Sequence, residues 1–172
     1  MIILAIDPSS SITGFALLDE AEKLLDAGTL RPNKRTDASE FRIAAMCDDL
    51  ETILIATNPD IVVIEWTSGK VGRRRHKGHG AGLAIYGLAI GAIWRTATAW
   101  AARRKPVGQV VTVLENDWTA WKSKEERSKL IAREYPKIDF SKDTGGDIAD
   151  AIGLGVWFAR RFKSGLILAL KQ

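Results

Sequence analysis

Apolar positions along this chain change spacing several times, and each change marks an element. Residues 2–7 (Ile-Ile-Leu-Ala-Ile-Asp) form an apolar run closed by an acid. Pro8-Ser9-Ser10-Ser11 makes a turn, 12–18 resume the apolar run, Asp19-Glu20 turns again, and 24–30 continue. Short apolar runs separated by turn residues predict a three-stranded meander. From 36 to 57 the apolar residues fall at 41, 43, 46, 47, 50, 53 and 54, which is helical spacing. Asn58-Pro59-Asp60 stops that helix. Ile61-Val62-Val63-Ile64 is an unbroken β-branched run, as expected of a strand buried on both faces, and it leads into Glu65-Trp66. Residues 67–79 are polar, basic and contain glycine, which predicts a loop. Helical spacing returns from 80 to 102, 109–114 predict another strand, and 122–134 and 146–162 predict two helices. The order βββαβαβαα predicts an α/β fold: one domain over 1–172, a mixed sheet with helices on both faces.

Composition narrows the class. A 46% apolar share with 27% charged residues over 172 residues excludes a disordered or collagen-like chain. A single cysteine, Cys47, excludes an internal disulfide framework and a cysteine-based zinc site, and fits a reducing compartment. The N-terminal apolar run meets Asp7 too early for a signal peptide. The longest apolar stretch, 81–102, is rich in Ala and Gly and carries Arg95, which argues against a spanning helix. A soluble cytoplasmic protein without membrane contact is expected.

Two strands end in an acid, Asp7 and Glu65. Acids at strand ends can simply mark where the chain meets solvent, but ligand sites in α/β sheets gather there too. Asp147-Ile148-Ala149-Asp150 opens the last predicted helix, with both aspartates on one face. Acids in a first helical turn also compensate the helix dipole. The flanking Ile148, Ala149, Ala151 and Ile152 are small or apolar, so packing this helix start on the sheet would bring all four carboxylates together. Four such charges raise one another's pKa and call for a compensating cation. Mg²⁺ or Mn²⁺ suits oxygen ligands, and two ions about 3.5–4 Å apart form a clamp for phosphodiester hydrolysis.

Residues 3–18, Ile61–Glu65 and 147–153 resemble, in order and spacing, the three acidic motifs of RuvC-type Holliday junction resolvases. The resemblance implies an RNase H-like fold, a homodimer, and Mg²⁺-dependent symmetric nicking of four-way DNA. It implies that Asp7, Glu65, Asp147 and Asp150 hold two ions per site. Lys124, with Lys122 as substitute, falls where a lysine serves the scissile phosphate. Ser9 stands where the family usually has glycine, and Thr119 near a further lysine, features of a divergent, phage-like member.

Discounting the four acids leaves 25 basic against 17 acidic residues, a balance of +8. Lys70, Arg73, Arg74, Arg75, His76, Lys77 and His79 crowd the predicted loop after Glu65. Charge runs often are solvated faces, but beside a metal site this one is expected to contact phosphates. Arg103-Arg104-Lys105 and Arg160-Arg161-Phe162-Lys163 are further DNA contacts or helix C-terminal caps. Trp66 is a candidate to stack on a base or to pack in the protein, whereas Trp94, Trp100 and Trp157 are expected in the core or an interface. Trp118 and Trp121 share a predicted helix-start face and could flank the cleft or the core. Gly80, Ala84, Gly87 and Gly91 stripe one helix face and suit either a dimer seam or close packing on the sheet. Leu83, Ile90 and Ala97 are the alternative cover for the sheet.

Other readings compete. The Asp7-Pro8-Ser9-Ser10-Ser11-Ile12-Thr13-Gly14 hairpin also resembles the phosphate-gripping turn of actin-like and sugar-kinase ATPases, whose two-domain body needs far more than 172 residues. A nuclease for RNA–DNA hybrid or other branched DNA would share fold and metals. A non-catalytic junction-binding protein would normally have lost its carboxylates.

Overall fold

The computed structural model describes residues 1–31, 38–67, 80–104, 108–120, 122–143 and 145–165. Five strands form one sheet in the order β3-β2-β1-β4-β5: β1 (Ile2–Asp7), β2 (Thr13–Asp19), β3 (Leu24–Leu30), β4 (Ile61–Trp66) and β5 (Gln109–Leu114). The β1–β3 meander is antiparallel, while β4 and β5 add in parallel to β1. Both faces of β1 are buried, which its unbroken apolar run requires. Leu4 and Ile6 face one side with Phe15, Leu17, Val62 and Ile64, under α1 (Ser39–Thr57) and α2 (Gly80–Arg103). Ile3 and Ala5 face the other, under α5 (Asp147–Lys163), with α4 (Lys124–Glu134) outside it.

The predicted mixed sheet with helices on both faces is therefore the observed one. Three details differ. Residues 122 and 123 precede α4, because Ser123 caps it: its side chain accepts from the Glu126 N–H, and the Glu126 carboxylate accepts from the Ser123 N–H. A short helix, α3 (Glu115–Thr119), fills the gap after β5. The first helix starts at Ser39 rather than 36 and ends where Asn58 turns left-handed before Pro59.

Asp60 fastens the far end of the sheet. Its carboxylate accepts from the Ile2 N–H at 2.7 Å and from Arg104 at 2.9 Å, joining the starts of β1 and β4 to the end of α2. Those bonds outweigh the opposing effect of burial and hold its pKa below the ordinary value.

The glycine stripe does not pack on the sheet. Ile90 and Ala97 are buried, but Leu83 is exposed, so the sheet's cover is Ala89, Ile90, Ile93 and Ala97. A Cβ at Gly87 or Gly91 would find nothing within 4 Å. Trp94 is also exposed, and of Trp94, Trp100 and Trp157 only Trp100 is buried. Among the described residues no helix is long and apolar enough to cross a membrane.

Candidate active site

The parallel pairing of β1 and β4 places Ile6 beside Ile64, so Asp7 and Glu65 leave adjacent strands at the same sheet edge. The antiparallel neighbour β2 sets Gly14 opposite Asp7. A Cβ at Gly14 would lie 2.0 Å from the Asp147 carbonyl oxygen. Only glycine lets the first turn of α5 approach β2 this closely, and that approach brings Asp147 and Asp150 over the strand ends. Gly146, with φ 70°, makes the left-handed turn into the helix. Asp143 then caps α5: its carboxylate accepts from the Ile148 and Ala149 N–H groups at 3.2 and 3.0 Å. Asp147 and Asp150 are thereby spared that role.

Two of the four acids are pushed upward. Burial pushes the Asp7 carboxyl well above the usual carboxylate range, and Glu65 and Asp150 push it further. Burial raises Glu65 to about 7, against a lowering hydrogen bond from the Trp118 indole, which donates to Oε2 at 2.8 Å. Two cations answer this charge. Lys124 Nζ lies 2.9 Å from Asp147 Oδ1 and 3.3 Å from Asp150 Oδ2. Burial opposes the Lys124 charge, but the Asp147 bond and the surrounding acids win and lift it to about 12. Arg127 grips both oxygens of Asp150 at 2.8 Å.

Among the described residues no three acids are grouped as metal ligands, and Asp147, Asp150 and Glu65 are each engaged by a donor. The donor chemistry nevertheless fits a hard divalent ion: four carboxylates offering oxygen donors only, one of them, Asp7, buried.

Of the residues predicted from sequence, the structure brings together Asp7, Glu65, Asp147, Asp150 and Lys124. Lys122 is exposed, and its carbonyl accepts from Arg127 at 2.9 Å. Trp66 is half-buried at the end of β4. Lys70, Arg73, Arg74, Arg75, His76, Lys77 and His79 lie outside the described residues, as do Lys105 and Trp121. Arg103 and Arg104 are engaged with Glu51, and with Asn58 and Asp60. Arg160 pairs with Glu22 and Glu134, and Arg161 lies over Trp157. Sequence reasoning missed Gly14, Arg127, Asp143 and Tyr86, while Trp118, expected to flank the cleft or the core, is buried and bonded to Glu65. Burial, with the charges of Glu65 and Asp7 adding to it, raises the Tyr86 hydroxyl on α2 to about 12.

No protein-family profile matches the chain. A stretch of 68 residues is 35% identical to the crossover junction endodeoxyribonuclease RuvC of Chlorobaculum parvum, covering 38% of this chain. The chain spans about a third of that relative's length, 36%. Among solved structures, Thermus thermophilus RuvC in complex with Holliday junction substrate superposes with a TM-score of 0.69 at 17% identity, over 96% of each chain. The Fowlpox virus resolvase in complex with substrate Holliday junction DNA gives 0.60 at 15% identity, over 94% of this chain and 99% of that one. The fold is accordingly the RNase H-like fold of RuvC-type resolvases.

Proposed function

We propose that this chain is a metal-dependent endodeoxyribonuclease that resolves four-way DNA junctions by paired phosphodiester hydrolysis. The observation that carries the reading is the acid quartet, formed from β1, β4 and α5, on a fold shared with proteins solved on junction DNA. The local 35% match to a junction endonuclease supports the same reading.

Asp7, Glu65, Asp147 and Asp150 would hold Mg²⁺ or Mn²⁺. Such ions, when bound, activate water and neutralise charge developing on the phosphate. The protein's own residues do the rest. Trp118 fixes Glu65 by one oxygen, which leaves the other to bind. Lys124, partly exposed, presents a cation at the cluster's rim, in reach of a phosphate. The basic residues at 70–77 add phosphate contacts, and a homodimer through α2 pairs two such sites. The protein acts in the cytoplasm on this reading.

The test is a nicking assay on a synthetic four-way junction beside linear duplex and RNA–DNA hybrid, with Mg²⁺ and with EDTA. Paired nicks on the junction alone, lost in EDTA, are expected. Asp7→Asn should lose cleavage by orders of magnitude while retaining junction binding, since a neutral side chain repels phosphate less. Full cleavage by Asp7→Asn would remove the claim. Preference for the hybrid would reassign the substrate, and junction binding without cleavage would make the protein a scaffold.

A further inference from the structure

Asp150, only 3% exposed, is held mainly by one side chain. Arg127 Nε and Nη2 each donate to a different Asp150 oxygen at 2.8 Å. Arg127 Nη1 donates to the Lys122 carbonyl at 2.9 Å. The guanidinium lies 5.1 Å over the Trp118 ring, and that indole in turn donates to Glu65. Arg127 therefore ties Asp150 on α5 to Glu65 on β4, by way of α3. It stands three residues after Lys124, on the same face of α4.

We propose that Arg127 is a positioning residue that serves as the resident cation of the metal-free site. It holds Asp150 and, through Trp118, Glu65 in place, and a divalent ion must compete with it for Asp150. This rests on reading the four acids as a metal site. The fork uses both carboxylate oxygens, so an ion can reach Asp150 only by breaking a charge-assisted bond. It also brings a dication beside a guanidinium, and like charges repel strongly where solvent is scarce. Without Arg127, Lys124 is the one cation among the described residues bonded to the quartet. The metal-free protein then loses stability, because a buried charge has lost its partner. A divalent ion gains affinity for the same reason. A merely structural residue would move both quantities down together; this role moves them in opposite directions.

The experiment titrates Mn²⁺ alone into the full chain, followed by its electron paramagnetic resonance signal, with melting temperatures taken in EDTA. Arg127→Gln should melt lower in EDTA and bind Mn²⁺ about tenfold tighter than the wild type, given one fewer opposing charge. Arg127→Lys keeps the charge without the fork and should lie between the two in both measurements. Mn²⁺ affinity of Arg127→Gln at or below wild type, or an unchanged melting temperature in EDTA, overturns the proposal. Should Arg127→Gln not fold, Arg127→Lys decides by the same criterion. Asp7→Asn separates this inference from its premise. If Asp7→Asn binds Mn²⁺ as well as wild type, the metal reading itself fails. If Asp7→Asn loses binding while Arg127→Gln matches wild type, only the role of Arg127 fails.

Discussion

At the scale of single residues, the site is built under electrostatic tension. Burial raises Glu65 to about 7, and Asp7 shifts the same way, so the metal-free folded state binds protons that the unfolded chain has released. A carboxyl raised on folding contributes stability below its unfolded pKa of about 4.5, and loses it as pH climbs through its folded value. In EDTA the melting temperature should therefore fall between about pH 5 and pH 8. Glu65→Gln should flatten that fall and be the more stable protein at pH 8, by about 1–3 kcal/mol. Parallel pH profiles for the two proteins would show that Glu65 carries no such shift. Gly14 is the other residue under constraint. Gly14→Ala sets a methyl 2.0 Å from the Asp147 carbonyl oxygen, with backbone on both sides. Either α5 retreats or the hairpin bends, at a cost of roughly 1–3 kcal/mol for an overpacked contact. Asp147 would move with the helix, so cleavage should fall further than thermal stability explains. Unaltered cleavage and melting would show that the hairpin yields freely.

Elements show what was legible in the sequence and why. Every strand was visible, because runs such as Ile61–Ile64 need no partner to announce burial on both faces. Asp7, Glu65, Asp147 and Asp150 were visible because each closes or opens such an element. Helix-dipole compensation competed for the two aspartates of α5, and the structure gives capping to Asp143 instead. Asp143 lies before the helix and returns to it through a turn that spacing alone does not show. Asp143→Ala should cost about 1 kcal/mol as a lost cap. Asp147→Asn in EDTA should lose no cap and differ only through its pairing with Lys124. A drop for Asp147→Asn matching that of Asp143→Ala would return the cap to Asp147. The start of α4 was legible in principle, since Ser123 and Glu126 have capping-box spacing. Arg127 was not, because an arginine on a polar helix looks solvated until α4 packs against α5. Trp118 is legible as a residue flanking the cleft or the core, but its bond to Glu65 is not, because that depends on α3, a five-residue helix too short for periodicity to mark.

For the whole molecule, the proposed junction resolution requires two matched cuts. A four-way junction has two-fold symmetry, and a C2 dimer places two active sites in that relation. The face of α2 turned from the sheet suits such a contact. Leu83, Leu88 and Trp94 are 40%, 52% and 42% exposed, and Gly87 stands among them with open space where a Cβ would be. Glycine in a helix interior costs about 1 kcal/mol against alanine, and among the described residues no intrachain contact at Gly87 offsets that. A close approach by a second copy would. The wild-type chain should thus be a dimer by light scattering at concentrations well above a Kd of about 1 μM. Gly87→Leu fills the open space without touching the chain's own core, so it should fold. Compared under dilution, where mass action no longer favours the dimer, it should melt at or above the wild type, because leucine is the better helix former. It should also be monomeric, bind junctions weakly, and convert paired nicks into single ones, with each remaining site chemically intact. A Gly87→Leu protein that still dimerises and cuts in pairs would move the seam away from this face of α2.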